Sequence, residues 1–196
     1  IRCAYWRELP GNTVAELTSC PLFPKFPGEQ VYLENFEIPA DQEQNFATQI
    51  SGYIHPPVDG AYVFWIAGDD QCELWLSPDE NPDRKAKIAE VPAWALQNKW
   101  DQDPKQKSNP VALKAGRRYY IEALQKDGGG DNSLGVAWNL PDGTLEAPIP
   151  GKRLSPGAFL ESPPPRVTFD PTTPLPAQSG VHHLKAKLEY RGQELT

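Results

Sequence analysis

AYVFWIAGDDQCELWL, residues 61–76, decides the fold. Its first seven residues are apolar or aromatic without a break, which is typical of a central strand in a β-sandwich. Residues 72–76 then alternate apolar and polar side chains, as a half-buried strand does. Only residues 68–71 lie between these two segments, so the connection must be short. The stretch predicts two strands joined by a compact acidic connection at the edge of a sheet.

Similar strand patterns recur on both sides of this stretch. They span residues 46–54, 87–91, 110–113, 117–126 and 134–139. The 22 prolines and 15 glycines of the chain mark turns between these segments. Helical periodicity is nearly absent, apart from one turn expected within residues 13–17. Short strands separated by turns predict an all-β fold, specifically an antiparallel β-sandwich.

The character of the chain changes near its C-terminus. Residues 161–196 contain the Pro-rich runs SPPP and PTTPLP, which have the composition of a semi-rigid linker. Residues 184–190 alternate like a strand. We therefore expect a sandwich domain over residues 1–160, followed by a Pro-rich linker and one strand-like segment over 161–196. That segment could begin a neighbouring module or dock onto the sandwich.

Composition and charge limit the classes of partner. The net charge is −7, and the basic residues form no cluster that could follow a phosphate backbone, so nucleic acid is not expected as a partner. No run approaches the roughly 18 apolar residues that span a bilayer, so no membrane insertion is expected. An acidic chain instead suits divalent cations.

The three cysteines leave the redox compartment open. Cys3 and Cys20 flank a turn-rich stretch and could form a disulfide in an oxidising compartment, or remain free. Cys72 lies in an apolar run, which indicates a buried free thiol. No Cys-x-x-Cys spacing is present, so a structural zinc site is not expected.

Asp69 and Asp70 are the strongest chemical signal in the sequence. Two adjacent carboxylates at the end of an apolar strand repel each other, and a hard cation such as calcium relieves the repulsion by binding oxygens of both. Neighbouring side chains on an extended backbone point apart, so their convergence requires a local deviation such as a cis peptide. The alternative is a solvated acidic turn that binds nothing.

A second oxygen-rich segment is DGGGDN, residues 127–132. Consecutive glycines allow a tight turn whose carbonyls can approach a ligand, while Asp131 and Asn132 supply side-chain oxygens. The alternative is a plain flexible hairpin loop. Together, the two segments contain the mixture of carboxylate, amide and carbonyl oxygens that calcium prefers.

Six segments, in this order, carry a resemblance to a known family. They are SGYI (51–54), PVDGAYVF (57–64), GDDQCELWL (68–76), LKAG (113–116), RYYIEA (118–123) and LGVAW (134–138). With their spacing, residues 4–160 resemble the protective-antigen fourteen-kilodalton domain family, a lectin-like β-sandwich of bacterial enzymes, toxins and yeast flocculation adhesins.

The resemblance implies a calcium site. In sugar-binding members, an Asp-Asp pair joined by a cis peptide coordinates calcium, and the ion contacts sugar hydroxyls directly. Asp69 and Asp70 match that pair. A second loop supplies further ligands, for which Asp131 and Asn132 are the candidates in this sequence.

Further contacts to a saccharide follow from the same chemistry. Lys126 and Asp127 flank the loop of residues 128–132 and could hydrogen-bond sugar hydroxyls, and Gly129 within that loop is a further candidate contact. Trp94 or Trp100, from the long polar segment after residue 91, could stack on the apolar face of a sugar ring. The alternative for both tryptophans is an anchoring role within their own loop.

The sequence leaves two main function classes open. The first is a calcium-dependent carbohydrate-binding module of a larger secreted or cell-surface protein, with a bacterial source expected and other domains of the parent chain as partners. The second is a non-binding structural or regulatory domain of a secreted glycoside hydrolase, in which calcium only stabilises the fold. Catalysis is not expected, because no Ser-His-Asp set or nucleophile elbow is present and Glu73 and Glu122 occupy ordinary strand positions.

Overall fold

The structure, a computed structural model, describes residues 1–39 and 44–157, together with the backbone of three strands near the C-terminus. Within residues 1–39 and 44–157 there is one α-helix, α1 (Val14–Ser19). The strands of the main body are β1 (Arg2–Trp6), β2 (Glu29–Tyr32), β3 (Phe46–Ile54), β4 (Gly60–Asp69), β5 (Gln71–Leu76), β6 (Ala86–Val91), β7 (Val111–Leu113), β8 (Tyr119–Asp127), β9 (Ser133–Asn139), β10 (Leu145–Glu146) and β11 (Leu154–Pro156).

These strands form two antiparallel sheets. The larger sheet has the order β2-β1-β3-β8-β5-β6, and β11 pairs with the end of β3 beyond β1. The smaller sheet has the order β10-β9-β4-β7. The chain passes from the larger sheet to the smaller one on entering β4, β7 and β9, and it returns on entering β5, β8 and β11. Two sheets connected in this way are the arrangement of a β-sandwich. The predicted all-β fold is therefore confirmed.

The main core lies between the two sheets. Alternate residues of β4, such as Phe64 and Ile66, point inward and are fully buried, as the period of a strand requires. Trp138 on β9 is the largest fully buried side chain of this core. Its ring centroid lies 4.9 Å from that of Tyr62 and 5.8 Å from that of Phe64. Its indole nitrogen donates a hydrogen bond of 2.7 Å to Glu146.

A second, smaller core lies on the outer face of the larger sheet. Val14 and Leu17 of α1 pack there against Trp6 and Leu124. The helix corresponds to the turn predicted within residues 13–17. Its packing covers the part of β8 that leads to the second oxygen-rich loop.

Three further strands form a sheet of their own: β12 (Arg166–Phe169), β13 (Ala186–Tyr190) and β14 (Gln193–Leu195). The sequence predicted one strand-like segment in this region, and β13 corresponds to it; the backbone that the structure describes also includes β12 and β14. The division into domains at residue 160 stays a prediction.

Within residues 1–39 and 44–157, no helix is long and apolar enough to cross a bilayer. Cys3, Cys20 and Cys72 are free thiols. Cys72 is fully buried, as its position in an apolar run predicted. The Cys3–Cys20 disulfide that the sequence left open is not formed in this structure.

Candidate functional site

Two connections between the sheets meet at one edge of the sandwich. The first leaves the smaller sheet at Asp69 and enters the larger sheet at Gln71, and the second runs back from Asp127 to Ser133. Because β4 neighbours β9 in one sheet and β5 neighbours β8 in the other, both connections cross at the same edge. The sequence placed the first connection at the edge of a single sheet, and the structure corrects this. It joins two layers.

Hydrogen bonds hold the two connections together. The backbone amide of Gly128 donates to Asp70 Oδ2 at 2.9 Å. The side-chain amide of Gln125 donates to the carbonyl oxygen of Asp69, whose backbone also pairs with Ser133. The peptide bond between Asp69 and Asp70 is cis, as the resemblance implied. The structure thus brings the two predicted oxygen-rich segments into direct contact.

Burial and mutual repulsion perturb the carboxylates of this edge. The pKa of Asp69 is raised to about 6, first by burial and then by the neighbouring charges of Asp70, Asp127 and Asp131. Negative charges close to a carboxyl group disfavour its ionised form, which is the case here for Asp69. The edge is therefore a place where a cation would be stabilised.

Asp127 is the most confined of these acids. Its pKa is also raised to about 6, by burial and then by Asp70, although Lys126 opposes the shift. Both oxygens of the Asp127 carboxylate are buried, and neither accepts a hydrogen bond of normal geometry. The backbone amides of Asn45 and Gly129 are near enough only to lower the pKa of Asp127 somewhat, against the larger effect of burial. A buried carboxylate without such bonds is costly unless a charge of opposite sign compensates it.

The oxygen donors at this edge fit calcium. Within residues 1–39 and 44–157, no group of three or more His, Cys, Asp or Glu side chains has a metal-binding arrangement by itself. A site at this edge must therefore combine the Asp69 and Asp70 carboxylates with amide and carbonyl oxygens. Asn132 is buried at the base of the second loop, and Asp131 is exposed at its tip. Such a mixed oxygen set suits the six to eight ligands of calcium.

Lys126 does not fit the expected role of contacting sugar. Its side chain is fully buried, and its ammonium donates hydrogen bonds to the carbonyl oxygens of Gly11 at 2.6 Å and Asp127 at 2.5 Å. The reason is that α1 and the segment before it cover this face of β8. The side chain of Asp127 is equally buried, so it belongs with the acidic group rather than with an exposed sugar-binding surface. Gly129 is exposed, and its main chain remains accessible.

Trp94 lies beside the acidic pair. Its backbone forms an isolated β-bridge with Asp69, and the next residue, Ala95, donates a backbone hydrogen bond of 2.8 Å to the carbonyl of Gly68. Gln102 fixes the loop from the other side, because its amide nitrogen donates to the carbonyl of Trp94 at 3.1 Å. The Trp94 side chain is nevertheless 50% exposed. An exposed aromatic ring on a fixed loop is suited to stacking against a ligand.

Trp100 has a different environment. Its ring lies over Gly135 of β9, so close that a Cβ atom at that glycine would be 3.2 Å from the ring. The side chain is only partly exposed. Trp100 therefore anchors the long loop on the smaller sheet, which was the alternative that the sequence left open.

One group of residues near the site had no signal in the sequence. Gly11 and Asn12 approach the second loop from the N-terminal segment, and Gly11 lies 115 residues away from Lys126 along the chain. No local pattern identifies such a contact, because it depends on how α1 packs on the outer face of the larger sheet.

Sequence comparisons identify relatives among much longer proteins. The chain is 34% identical over 133 residues to the mouse N-acetyl-beta-glucosaminyl-glycoprotein 4-beta-N-acetylgalactosaminyltransferase 1, a match that covers 65% of this chain and 13% of the mouse protein. It is 33% identical over 86 residues to human Fibrocystin-L, covering 44% of this chain and 2% of that protein. The chain thus corresponds to a small part of each relative.

Structural comparisons support the fold. A PA14 sugar-binding domain from an RTX adhesin superposes with a TM-score of 0.59 at 13% identity, covering 80% of this chain and 97% of that one. The Epithelial Adhesin 6 A domain of Candida glabrata, solved in complex with Galb1-3GlcNAc, superposes with a TM-score of 0.57 at 14% identity, covering 80% and 86%.

The family model for the PA14 domain matches residues 29–152. These residues include both inter-sheet connections and every strand that borders them. The protective-antigen resemblance predicted from the sequence is confirmed, and the chain belongs to the PA14 domain family.

Proposed function

We propose that this chain is a non-catalytic carbohydrate-binding module of a larger secreted or cell-surface protein, and that it binds saccharide in a calcium-dependent manner. The observation that carries the proposal is the acidic edge, which is the edge of the sandwich where Asp69, Asp70 and Asp127 lie. There Asp70 is hydrogen-bonded to the second loop, and Asp69 adjoins the exposed Trp94. Adhesin domains of similar fold whose names or complexes include sugar support the ligand class.

The proposed calcium ligands are Asp69, Asp70, Asn132 and Asp131, with carbonyl oxygens of residues 128–132. Calcium accepts six to eight oxygens, so when bound it would supply positions for two adjacent hydroxyl groups of a saccharide. The chain's own residues prepare the edge for this. Gln125 and the Gly128 amide fix the pair, and the ionised carboxylates lose their mutual repulsion when a cation lies among them.

Trp94 would complete the saccharide site. A pyranose has an apolar face of C–H groups, and a half-exposed indole beside the hydroxyl-binding edge offers a flat surface for it. Leu96, two residues further along the same loop, is also exposed, at 62%. The main chain at Gly129, on the exposed tip of the second loop, is the remaining predicted contact.

The matched residues are a small part of the mouse and human relatives, which supports other domains of the same parent chain as partners. These relatives are mammalian, and the bacterial source expected from the sequence stays a prediction. One relative is a glycosyltransferase, so an accessory domain beside a catalytic domain is a second candidate. In that case calcium would stabilise the fold without any saccharide.

The decisive experiment is a glycan array probed with the labelled chain in calcium, in chelator, and in chelator followed by excess calcium. We expect binding to a defined subset of glycans in calcium, its loss in chelator and its recovery on adding calcium back. Binding that persists in chelator would contradict the calcium-dependent mechanism. A calcium-dependent rise in the melting temperature without binding to any glycan would favour the accessory-domain alternative.

The calcium effect should also depend on pH, between about pH 7.5 and about pH 5. The pKa of Asp69 and of Asp127 is raised to about 6, above the ordinary value near 4, so these acids bind protons more readily in the folded chain than in the unfolded chain. Without calcium, the ionised forms of Asp69 and Asp127 therefore destabilise the fold above about pH 6. This destabilisation is relieved as the pH falls from about 6 towards about 4 and both acids become protonated. Calcium binds the ionised carboxylates only, so the melting-temperature rise that it causes should be large at about pH 7.5 and small at about pH 5.

Scanning fluorimetry with and without calcium at each pH measures this difference. The difference between the samples with and without calcium is the correct readout because His55 also titrates. Burial lowers the pKa of His55, so this histidine makes the fold less stable as the pH falls, but it does so equally with and without calcium. An equal calcium effect at both pH values would contradict the assignment of these acids to the site.

A further inference from the structure

The N-terminal loop, residues 9–13, contributes a third side to the site. It precedes the residues that match the PA14 model, which begin at residue 29. The buried ammonium of Lys126 ties it to the second loop, donating to the carbonyl oxygens of Gly11 at 2.6 Å and of Asp127 at 2.5 Å. This connection places the N-terminal loop directly against the inter-sheet connections.

Three segments converge at Gly128. A Cβ atom built on this glycine would lie 2.9 Å from the carbonyl oxygen of Gly11, 3.1 Å from Asn12 Cβ and 3.3 Å from Asp70 Oδ2. The side chain of Asn12 and the carboxylate of Asp70 therefore both begin close to Gly128. Any residue larger than glycine at position 128 would have to separate these segments.

The N-terminal loop has a fixed conformation. The Glu16 carboxylate accepts hydrogen bonds from the backbone amide of Thr13 at 2.8 Å and from its hydroxyl at 2.9 Å. The amide of Val14 donates to Gln71 at 2.8 Å, and the amide of Leu9 donates to the carbonyl of Asn45 at 2.7 Å. Both ends of the loop are thus attached to the sandwich.

Asn12 is exposed on this fixed loop and is its exposed polar side chain, beside the exposed but apolar Pro10. Its amide group offers donors and an acceptor, which is the combination that pairs with sugar hydroxyls, since each hydroxyl both donates and accepts. A polar side chain presented by a rigid backbone loses little conformational entropy when it binds. Asn12 thus has the chemistry and the position to read the substituents of a saccharide held at the acidic edge.

We propose that Asn12 determines which saccharide this site accepts, by hydrogen-bonding hydroxyl groups of the sugar that the acidic edge holds. The proposal rests on the proposed carbohydrate function. Lys126 acts as a positioning residue, because it holds the loop that carries Asn12 without reaching the ligand itself.

The test compares the full chain with Asn12→Ala and Asn12→Asp on a glycan array, with calcium-dependent melting as a second readout. Asn109→Ala is the matched control, because Asn109 is exposed in another part of the sandwich. We expect Asn12→Ala to weaken the best glycan by about threefold to tenfold and to change the ranking of glycans, since one or two net hydrogen bonds are lost. Asn12→Asp should change the ranking differently, because it retains the acceptor and removes the donors.

Asn12 is exposed, so both variants should fold, and for Asn12→Ala the rise in melting temperature with calcium should equal that of the unmodified chain. An unchanged glycan ranking in both Asn12 variants, with the unmodified chain binding normally, would overturn the role of Asn12 and leave the proposed function standing. Absence of glycan binding by the unmodified chain would overturn the proposed function and this inference together.

Discussion

Replacing Asp69 and Asp70 together with asparagine should abolish calcium-dependent glycan binding and leave the sandwich folded. The substitutions remove both negative charges that the proposed ion requires, and the amide groups that replace them are weaker calcium ligands. Loss of a residue that only hydrogen-bonds a metal ligand typically lowers metal affinity by about 10-fold to 100-fold, so loss of both carboxylates should exceed the upper end of that range. Glycan binding should then fall to background.

The same variant should be no less stable than the unmodified chain when calcium is absent. The repulsion that raises the pKa of Asp69 disappears with the charges, while the backbone pairing with Ser133 and the hydrogen bond from Gln125 to the Asp69 carbonyl are retained. Calorimetric titration with calcium, melting curves in chelator and the glycan array together measure the outcome.

Asp101→Asn is the matched control for this variant. Asp101 is an exposed acid on the long loop that carries Trp94, paired with Lys99, and takes no part in the inter-sheet connections. It should leave calcium and glycan binding unchanged. If the asparagine pair bound calcium and glycan as well as the control does, the acidic edge would not be the binding site.

Trp138→Ala should cause a large loss of stability, about 3–5 kcal/mol of unfolding free energy. The side chain is fully buried between the sheets and packs against Tyr62 and Phe64. Its removal leaves a cavity in the centre of the sandwich and also deletes the indole hydrogen bond to Glu146. Glu146 keeps its ion pair with Arg153, so no isolated buried charge adds to the loss.

Trp94→Ala is the matched control, because it removes the same side chain from an exposed position. We expect its unfolding free energy to fall by only about 1 kcal/mol, well below the loss in Trp138→Ala, since half of the Trp94 side chain is already in solvent. Its glycan affinity should nevertheless fall by about tenfold, as expected for one lost aromatic contact. Urea unfolding and the glycan array separate the two effects. Equal stability losses in both variants would contradict the assignment of Trp138 to the core and Trp94 to the surface.

The strands were predictable because their side chains alternate with the period of a pleated sheet, and the acidic pair was predictable because it interrupts that pattern. Topology was less accessible. The short connection at Asp69 and Asp70 was expected at the edge of one sheet, but it crosses between two, and nothing in residues 68–71 distinguishes these cases. Which strands become neighbours depends on contacts across the whole chain.

The position of Lys126 shows a second limit of sequence reasoning. Alternation places it on the outer face of β8, where a lysine is normally solvated. That face is covered instead by α1 and the N-terminal loop, a contact between residues far apart in sequence. For the same reason, Asn12 carried no recognisable signal, although in the folded chain it lies close to Gly128 of the second loop.

The crossing of both connections at one rim has a mechanical consequence. A ligand bound there would contact both sheets of the sandwich at once, so it would oppose sliding of one sheet over the other. A pulling force on the domain would then be resisted more strongly when a ligand is bound at this edge than when no ligand is bound.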